Sequence, residues 1–194
     1  KIDYAATSDK ATPLNLTNHA YWNLEDGGSS SVDKHLIRLE AQFYTPTDDE
    51  AIPTGEIRAV KGTPMDYCSS PRVIGERLDE CDQGNGVDHN FVLSASASEE
   101  GLRPVATLWS ERSGRLMKVW TTEPGVQFYT GNFLNGQLVG KAGAVYGRRS
   151  AFCLETQHYP DSPNKPGFPS TILRPGDQYE TRTIFEFSSS SIQD

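Results

Sequence analysis

Residues 103–124 read RPVATLWSERSGRLMKVWTTEP, and this stretch decides the fold. Val105, Thr107 and Trp109 alternate with Ala106, Leu108 and Ser110. That period of two places successive side chains on opposite faces of a strand. Ser113-Gly114 supplies a turn, and Leu116 to Thr122 returns with Val119 and Trp120, so the spacing predicts a β-hairpin. Downstream, Val126–Tyr129 and Ala151–Thr156 read as short strands, and Arg174-Pro175-Gly176-Asp177 is a strong turn signal. After it Tyr179, Thr181, Thr183, Phe185 and Phe187 alternate with Glu180, Arg182, Ile184 and Glu186, a long two-faced strand with aromatics on one side. Upstream, Thr12–Leu16 is a short apolar run and His35–Ala41 alternates in part. Helical patterning is weak; Val73–Leu78 could form one or two turns. Strands at this density, separated by 17 Gly and 12 Pro with no repeat, predict an all-β, antiparallel sandwich or barrel. Residues 1–187 read as one unit with no internal boundary, and Ser188–Asp194 as a flexible tail.

Composition narrows the function. The 194 residues include 19 aromatics, enough for a real core. The formal charge is -8, which repels phosphate backbones, and Arg148-Arg149 is too small to form a basic patch. Nucleic acid is therefore excluded as a partner. No apolar run approaches a membrane span, and Lys1-Ile2-Asp3-Tyr4 opens no signal peptide. Cys68, Cys81 and Cys153 are odd in number and fit no zinc spacing, so free thiols in a reducing cytoplasm are expected. The sequon Asn15-Leu16-Thr17 falls inside an apparent strand and reads as a chance match.

Four polar segments are candidates for chemistry: residues 15–24, 84–91, 125–132 and 152–161. Loops carry function on β-scaffolds. Glu155 ends an apolar strand beside Phe152 and Leu154; desolvation there would raise its pKa toward that of a general base, although an exposed or ion-paired strand Glu is the plainer reading. His19 lies among Asn18, Tyr21, Trp22 and Asn23. Aromatics beside polar groups suit a sugar, and His suits proton transfer near neutrality; a hydrogen-bonded structural His is the plainer alternative. Asp88 could bind hydroxyls, although an Asp in a Gly-rich loop is more often a turn former. His19, His35, His89 and His158 are far apart without HExxH-type spacing, so no metal is expected. There is no G-x-S-x-G, and Cys153 sits in an apolar strand, so a Ser or Cys nucleophile has little support.

These segments resemble the aldose 1-epimerase family. Residues 15–24, Asn-Leu-Thr-Asn-His-Ala-Tyr-Trp-Asn-Leu, are similar to its N-x-T-x-H-x-Y-[FW]-N-L signature, and Asp88-His89-Asn90-Phe91 to its D-H-N-F motif. Residues 125–132 and 152–157 resemble its last two motifs, and Phe168-Pro169 and Leu173-Arg174-Pro175-Gly176 also look familial. The likeness runs from about Thr12 to Phe187.

The resemblance implies a large antiparallel β-sandwich, of which this chain would be the C-terminal portion. It implies an isomerase that interconverts the α and β anomers of free hexoses, galactose or glucose, without a cofactor. Glu155 matches the catalytic base, His19 the catalytic acid, Asp88 and Gln127 substrate contacts, and Tyr21 a residue lining the pocket. The family's N-terminal part supplies early strands plus an Arg and another His of the sugar site. A second polypeptide carrying that segment is therefore expected as a partner. Two other readings compete. A carbohydrate-binding module would use the same residues without turnover. A glycoside hydrolase would need two catalytic carboxylates, and only Glu155 has a motif around it.

Overall fold

The computed structural model describes residues 1–94 and 98–189. The hairpin forms as the spacing predicts. Strand β8 (Arg103–Trp109) pairs antiparallel with β9 (Arg115–Thr121), and the register shifts between Pro104 and Ala106. A bulge of this kind suits a proline, which cannot donate to the ladder. It also places Val105 and Ala106 both in the core, where strict alternation would send one outward.

Around the hairpin, a six-stranded antiparallel sheet runs in the order β1 (Ile2–Ala6), β15 (Tyr179–Ser189), β9, β8, β3 (Leu36–Leu39) and β6 (Arg72–Val73). A five-stranded sheet runs β13 (Cys153–Gln157), β10 (Gly125–Tyr129), β7 (Asp88–Leu93), β4 (Ala41–Tyr44) and β5 (Arg58–Ala59). Two short ribbons complete the described strands: β2 (Thr12–Pro13) with β14 (Ile172–Leu173), and β11 (Leu138–Val139) with β12 (Val145–Tyr146). The fold is the all-β, antiparallel architecture that the alternation and turns predict.

One apolar cluster joins the sheets. Ile37, Leu108, Met117 and Val119 come from the larger sheet, and Phe91, Val126, Phe128 and Leu154 from the smaller. Phe91 and Phe128 are fully buried, with Tyr67 packed edge-on against both. Phe128→Ala would cost about 3–5 kcal/mol through lost transfer energy and the cavity left behind. Three hydroxyls also bridge the sheets: Thr183 of β15 lies 3.1 Å from Thr121 and 2.5 Å from Thr156 of β13.

Three local expectations change. The run Thr12–Leu16 pairs only at Thr12 and Pro13, and the chain beyond has no regular structure as far as Tyr21. Val73–Leu78 is not helical: Ile74 N–H goes to His35 C=O and Gly75 N–H to Asp33 C=O, so these donors serve neighbouring segments instead of an i→i−4 ladder. A single 3₁₀ turn follows at Leu78–Glu80. At the C-terminus, Ser188 and Ser189 continue β15 opposite Leu116 and Arg115; the rest of the expected tail, 190–194, lies outside the described residues.

Candidate active site

Register builds the site. Gln127 of β10 stands opposite Asn90 of β7 on one side and Glu155 of β13 on the other. Tyr129 likewise stands between Asp88 and Cys153. Residues directly opposite in a sheet share a face, so Asp88, Asn90, Gln127, Tyr129, Cys153 and Glu155 all project from the outer face of the smaller sheet. The intervening Phe91, Val126, Phe128 and Leu154 fill the core behind them. The polar face is thus anchored by the best-packed part of the molecule. Gly125 permits one close approach here, because a Cβ would stand 2.5 Å from Asn90 Oδ1 and 2.9 Å from the Tyr159 ring.

His19 arrives from a loop tied down on both sides of Glu155. Before His19, Asn15 Nδ2 donates to His158 C=O (2.9 Å) and Asn15 Oδ1 accepts the His158 N–H (3.0 Å). After it, Trp22 and Phe152 exchange backbone hydrogen bonds of 2.8 and 2.9 Å. Phe152 and His158 are equally far from Glu155 along the chain, so the loop is stretched over the middle of β13. Asn23 adds a further anchor, donating to Ser30 C=O and Ser150 C=O at 3.0 Å each. Asn15 and Asn23 therefore act as fasteners of the 15–24 segment, and the amide of Asn15 is engaged as one.

The result is a contact between His19 Nε2 and Glu155 Oε1 at 3.4 Å. The Glu155 side chain is 11% exposed and that of His19 49% exposed, so the base is sheltered and the acid reaches it from the open side. Burial pushes the Glu155 carboxyl above its ordinary value; positive charge on His19 opposes that rise and Asp88 adds to it. Burial also raises Asp88, against the hydrogen bond it accepts from Gln127 Nε2 at 2.8 Å and the charge of His19. Gln127 Oε1 and Asn90 Oδ1 are buried acceptors with no hydrogen-bond partner among the described residues. Tyr21 stacks on the His19 ring at 5.0 Å, and Tyr129 meets His19 and Tyr21 edge-on at 6.4 and 6.3 Å.

All five residues singled out from the sequence therefore meet in one place. Gln127 and Glu155 stand on β10 and β13, where the sequence places short strands at 126–129 and 151–156. Asp88 opens a strand where a turn former was the plainer reading. Sequence reasoning missed Tyr129 and Cys153. Both follow from period-two alternation, since each lies two positions from a recognised residue, Gln127 or Glu155, and so shares its face.

A family model described as Aldose 1-epimerase matches residues 1–186. Galactose mutarotase from Homo sapiens is 47% identical over 187 residues, covering 96% of this chain and 53% of the human protein. Aldose 1-epimerase from Escherichia coli (strain K12) is 39% identical over 190 residues, covering 96% of this chain and 54% of its own length. A crystal structure of an aldose epimerase homologue from C. elegans superposes with a TM-score of 0.83 at 31% identity, over 96% of this chain and 55% of that one. The chain spans about half the length of the curated relatives it matches.

Proposed function

The chain belongs to the aldose 1-epimerase family, and on that premise we propose that its outer-sheet site interconverts the α and β anomers of free hexoses. The observation that carries this reading is the His19–Glu155 contact: a sheltered carboxylate with a raised pKa, facing an imidazole that can hold a proton. General acid–base chemistry needs a donor and an acceptor within reach of two oxygens of one substrate.

Glu155 takes the proton of the C1 hydroxyl while His19, as imidazolium, delivers one to the ring oxygen. The C1–ring-oxygen bond breaks and an aldehyde forms at C1. Rotation about C1–C2 presents the other carbonyl face, and the two residues exchange roles on closure. The hexose enters between the acid and the base, replacing their direct contact. Asp88 and the unpartnered Gln127 Oε1 take sugar hydroxyls, which supply the hydrogen bond that Gln127 Oε1 lacks and add to the one Asp88 accepts from Gln127 Nε2. Tyr21 and Tyr129 offer ring faces and edges to the C–H side of the sugar. The proton returns within each cycle and no redox change occurs, so these side chains alone balance the reaction.

Galactose and glucose are the proposed substrates. The relatives named galactose mutarotase and aldose 1-epimerase support this assignment. The three cysteines are free, which supports placement in a reducing cytoplasm. Among the described residues no helix is long and apolar enough to cross a membrane. The test is polarimetry of freshly dissolved α-D-galactose and α-D-glucose. Optical rotation is expected to relax faster with the protein than in buffer alone, and an unchanged relaxation for both sugars would remove the proposal.

A further inference from the structure

The acid and base have a third neighbour that the proposed chemistry leaves idle. Cys153 lies two positions before Glu155 on β13, on the same face and fully buried. Its Sγ, one carboxylate oxygen of Glu155 and one ring nitrogen of His19 all lie within 4.8 Å of one another. Among the described residues no other cluster of His, Cys, Asp and Glu has this closeness.

We propose that His19, Cys153 and Glu155 bind a thiophilic divalent cation of the zinc class, and that the cation blocks the site by occupying the acid and the base together. The geometry is near to what such an ion needs. Tetrahedral zinc holds nitrogen and oxygen ligands about 2.0–2.2 Å away and sulfur about 2.3 Å away, which puts ligand atoms about 3.3–3.8 Å apart. The His19–Glu155 separation of 3.4 Å already lies in that range. The sulfur lies within 4.8 Å of the other two ligand atoms, at most about an ångström beyond the upper end of that range, and the half-exposed His19 side chain leaves the cluster open on its solvent side. The donor set of one sulfur, one nitrogen and one oxygen favours zinc, cobalt or cadmium over magnesium or calcium, which prefer oxygen alone. Three protein ligands leave a fourth position open for water.

Binding converts the Cys153 thiol to a thiolate with release of one proton to solvent; nothing is oxidised or reduced. It takes the Nε2 lone pair of His19 and an oxygen of Glu155, the two atoms the hexose needs. Metal and sugar therefore exclude one another. The blocking half of the inference rests on the acid–base reading of the site, whereas the binding half stands on geometry alone.

The test uses the purified chain with Co²⁺ as an optical probe, kept reduced and free of chelator. A thiolate-to-cobalt charge-transfer absorption is expected in the near ultraviolet, displaced by Zn²⁺. Cys153→Ser and Cys153→Ala should both abolish it, and Cys68→Ser, at a half-buried thiol elsewhere, should keep it. Removing even a hydrogen-bonded neighbour of a ligand costs about 10–100-fold in affinity, so His19→Asn is expected to weaken Co²⁺ binding at least that much. Absence of the band, or its survival in both Cys153 variants, would overturn the site. In polarimetry, Zn²⁺ should suppress mutarotation reversibly, and Cys153→Ser should keep the basal rate and lose the suppression. A normal rate with the cobalt band present at the same metal occupancy would overturn the blocking half. A protein that binds cobalt through Cys153 and yet never accelerates mutarotation would sink the catalytic reading and leave the metal site standing.

Discussion

His19–Glu155 and His158–Glu123 pair the same two residue types at the middle and the end of one strand, and they are built in opposite ways. Glu123 is almost wholly buried and both its oxygens are occupied. His158 Nδ1 lies 2.6 Å from Oε2, and the Tyr179 hydroxyl donates to Oε1 at 3.1 Å. Burial pushes its carboxyl up, but the hydrogen bonds from His158, Thr181 and Tyr179 and the charge of His158 outweigh burial and hold it below the ordinary range. Glu155 has the single contact to His19 among the described residues, longer at 3.4 Å, and its carboxyl stays raised. A carboxylate whose lone pairs are filled by the protein is committed to the fold. One that is buried with its lone pairs open is free to take a proton from a substrate.

The sharpest way to break this contrast is activity. Glu155→Gln should lower the mutarotation rate by about 10²–10⁴-fold, the contribution typical of one acid–base group. Glu123→Gln should keep most of it. Second in size is the stability cost at the filled pair. Glu123→Gln weakens a charge-assisted bond and strands part of His158, so urea unfolding should show a loss of about 1–3 kcal/mol. That loss depends on pH. The folded Glu123 carboxyl titrates below its unfolded value, so its contribution is complete above the ordinary carboxylate range and fades as pH falls through the folded value.

A smaller effect belongs to the link between the pairs. Asn15 fastens the His19 loop to the backbone of His158 itself. Asn15→Ala should reduce turnover more than it reduces thermal stability, because two hydrogen bonds of about 1 kcal/mol each are lost while the core is untouched. An unchanged turnover would show that the loop holds His19 without this clamp. The smallest effect has the opposite sign to that at Glu123. Glu155 titrates higher folded than unfolded, so its ionised form costs stability at neutral pH. Glu155→Gln should therefore raise Tm slightly at pH 7, and the gain should vanish as pH falls through the raised value and then the ordinary one. A Tm gain that persists in acid would locate the effect elsewhere.

The sequence carried the sheet well and the pairs unevenly. Strands such as 103–109, 115–121 and 179–189 show through because alternation and turn residues are local signals. The bulge at Pro104 and the backbone bonds that unmake a helix at 73–78 depend on partners far along the chain, and so were hidden. His19, Asp88, Gln127 and Glu155 were found through motif resemblance; physical reasoning alone left each open to a plainer role. Glu123 gave no local signal, since nothing near it in sequence announces His158 or Tyr179. The same distance hides the convergence of His19 on Cys153, which spacing rules for metal motifs cannot see.

The most direct single measurement is the optical rotation of freshly dissolved α-D-galactose, followed side by side with the unaltered protein, Glu155→Gln and Glu123→Gln, each verified folded by circular dichroism. The account predicts rapid relaxation with the unaltered protein and with Glu123→Gln, and relaxation near the buffer rate with Glu155→Gln. Equal rates for the two variants would contradict it, because the open pair would then be doing no more than the filled one.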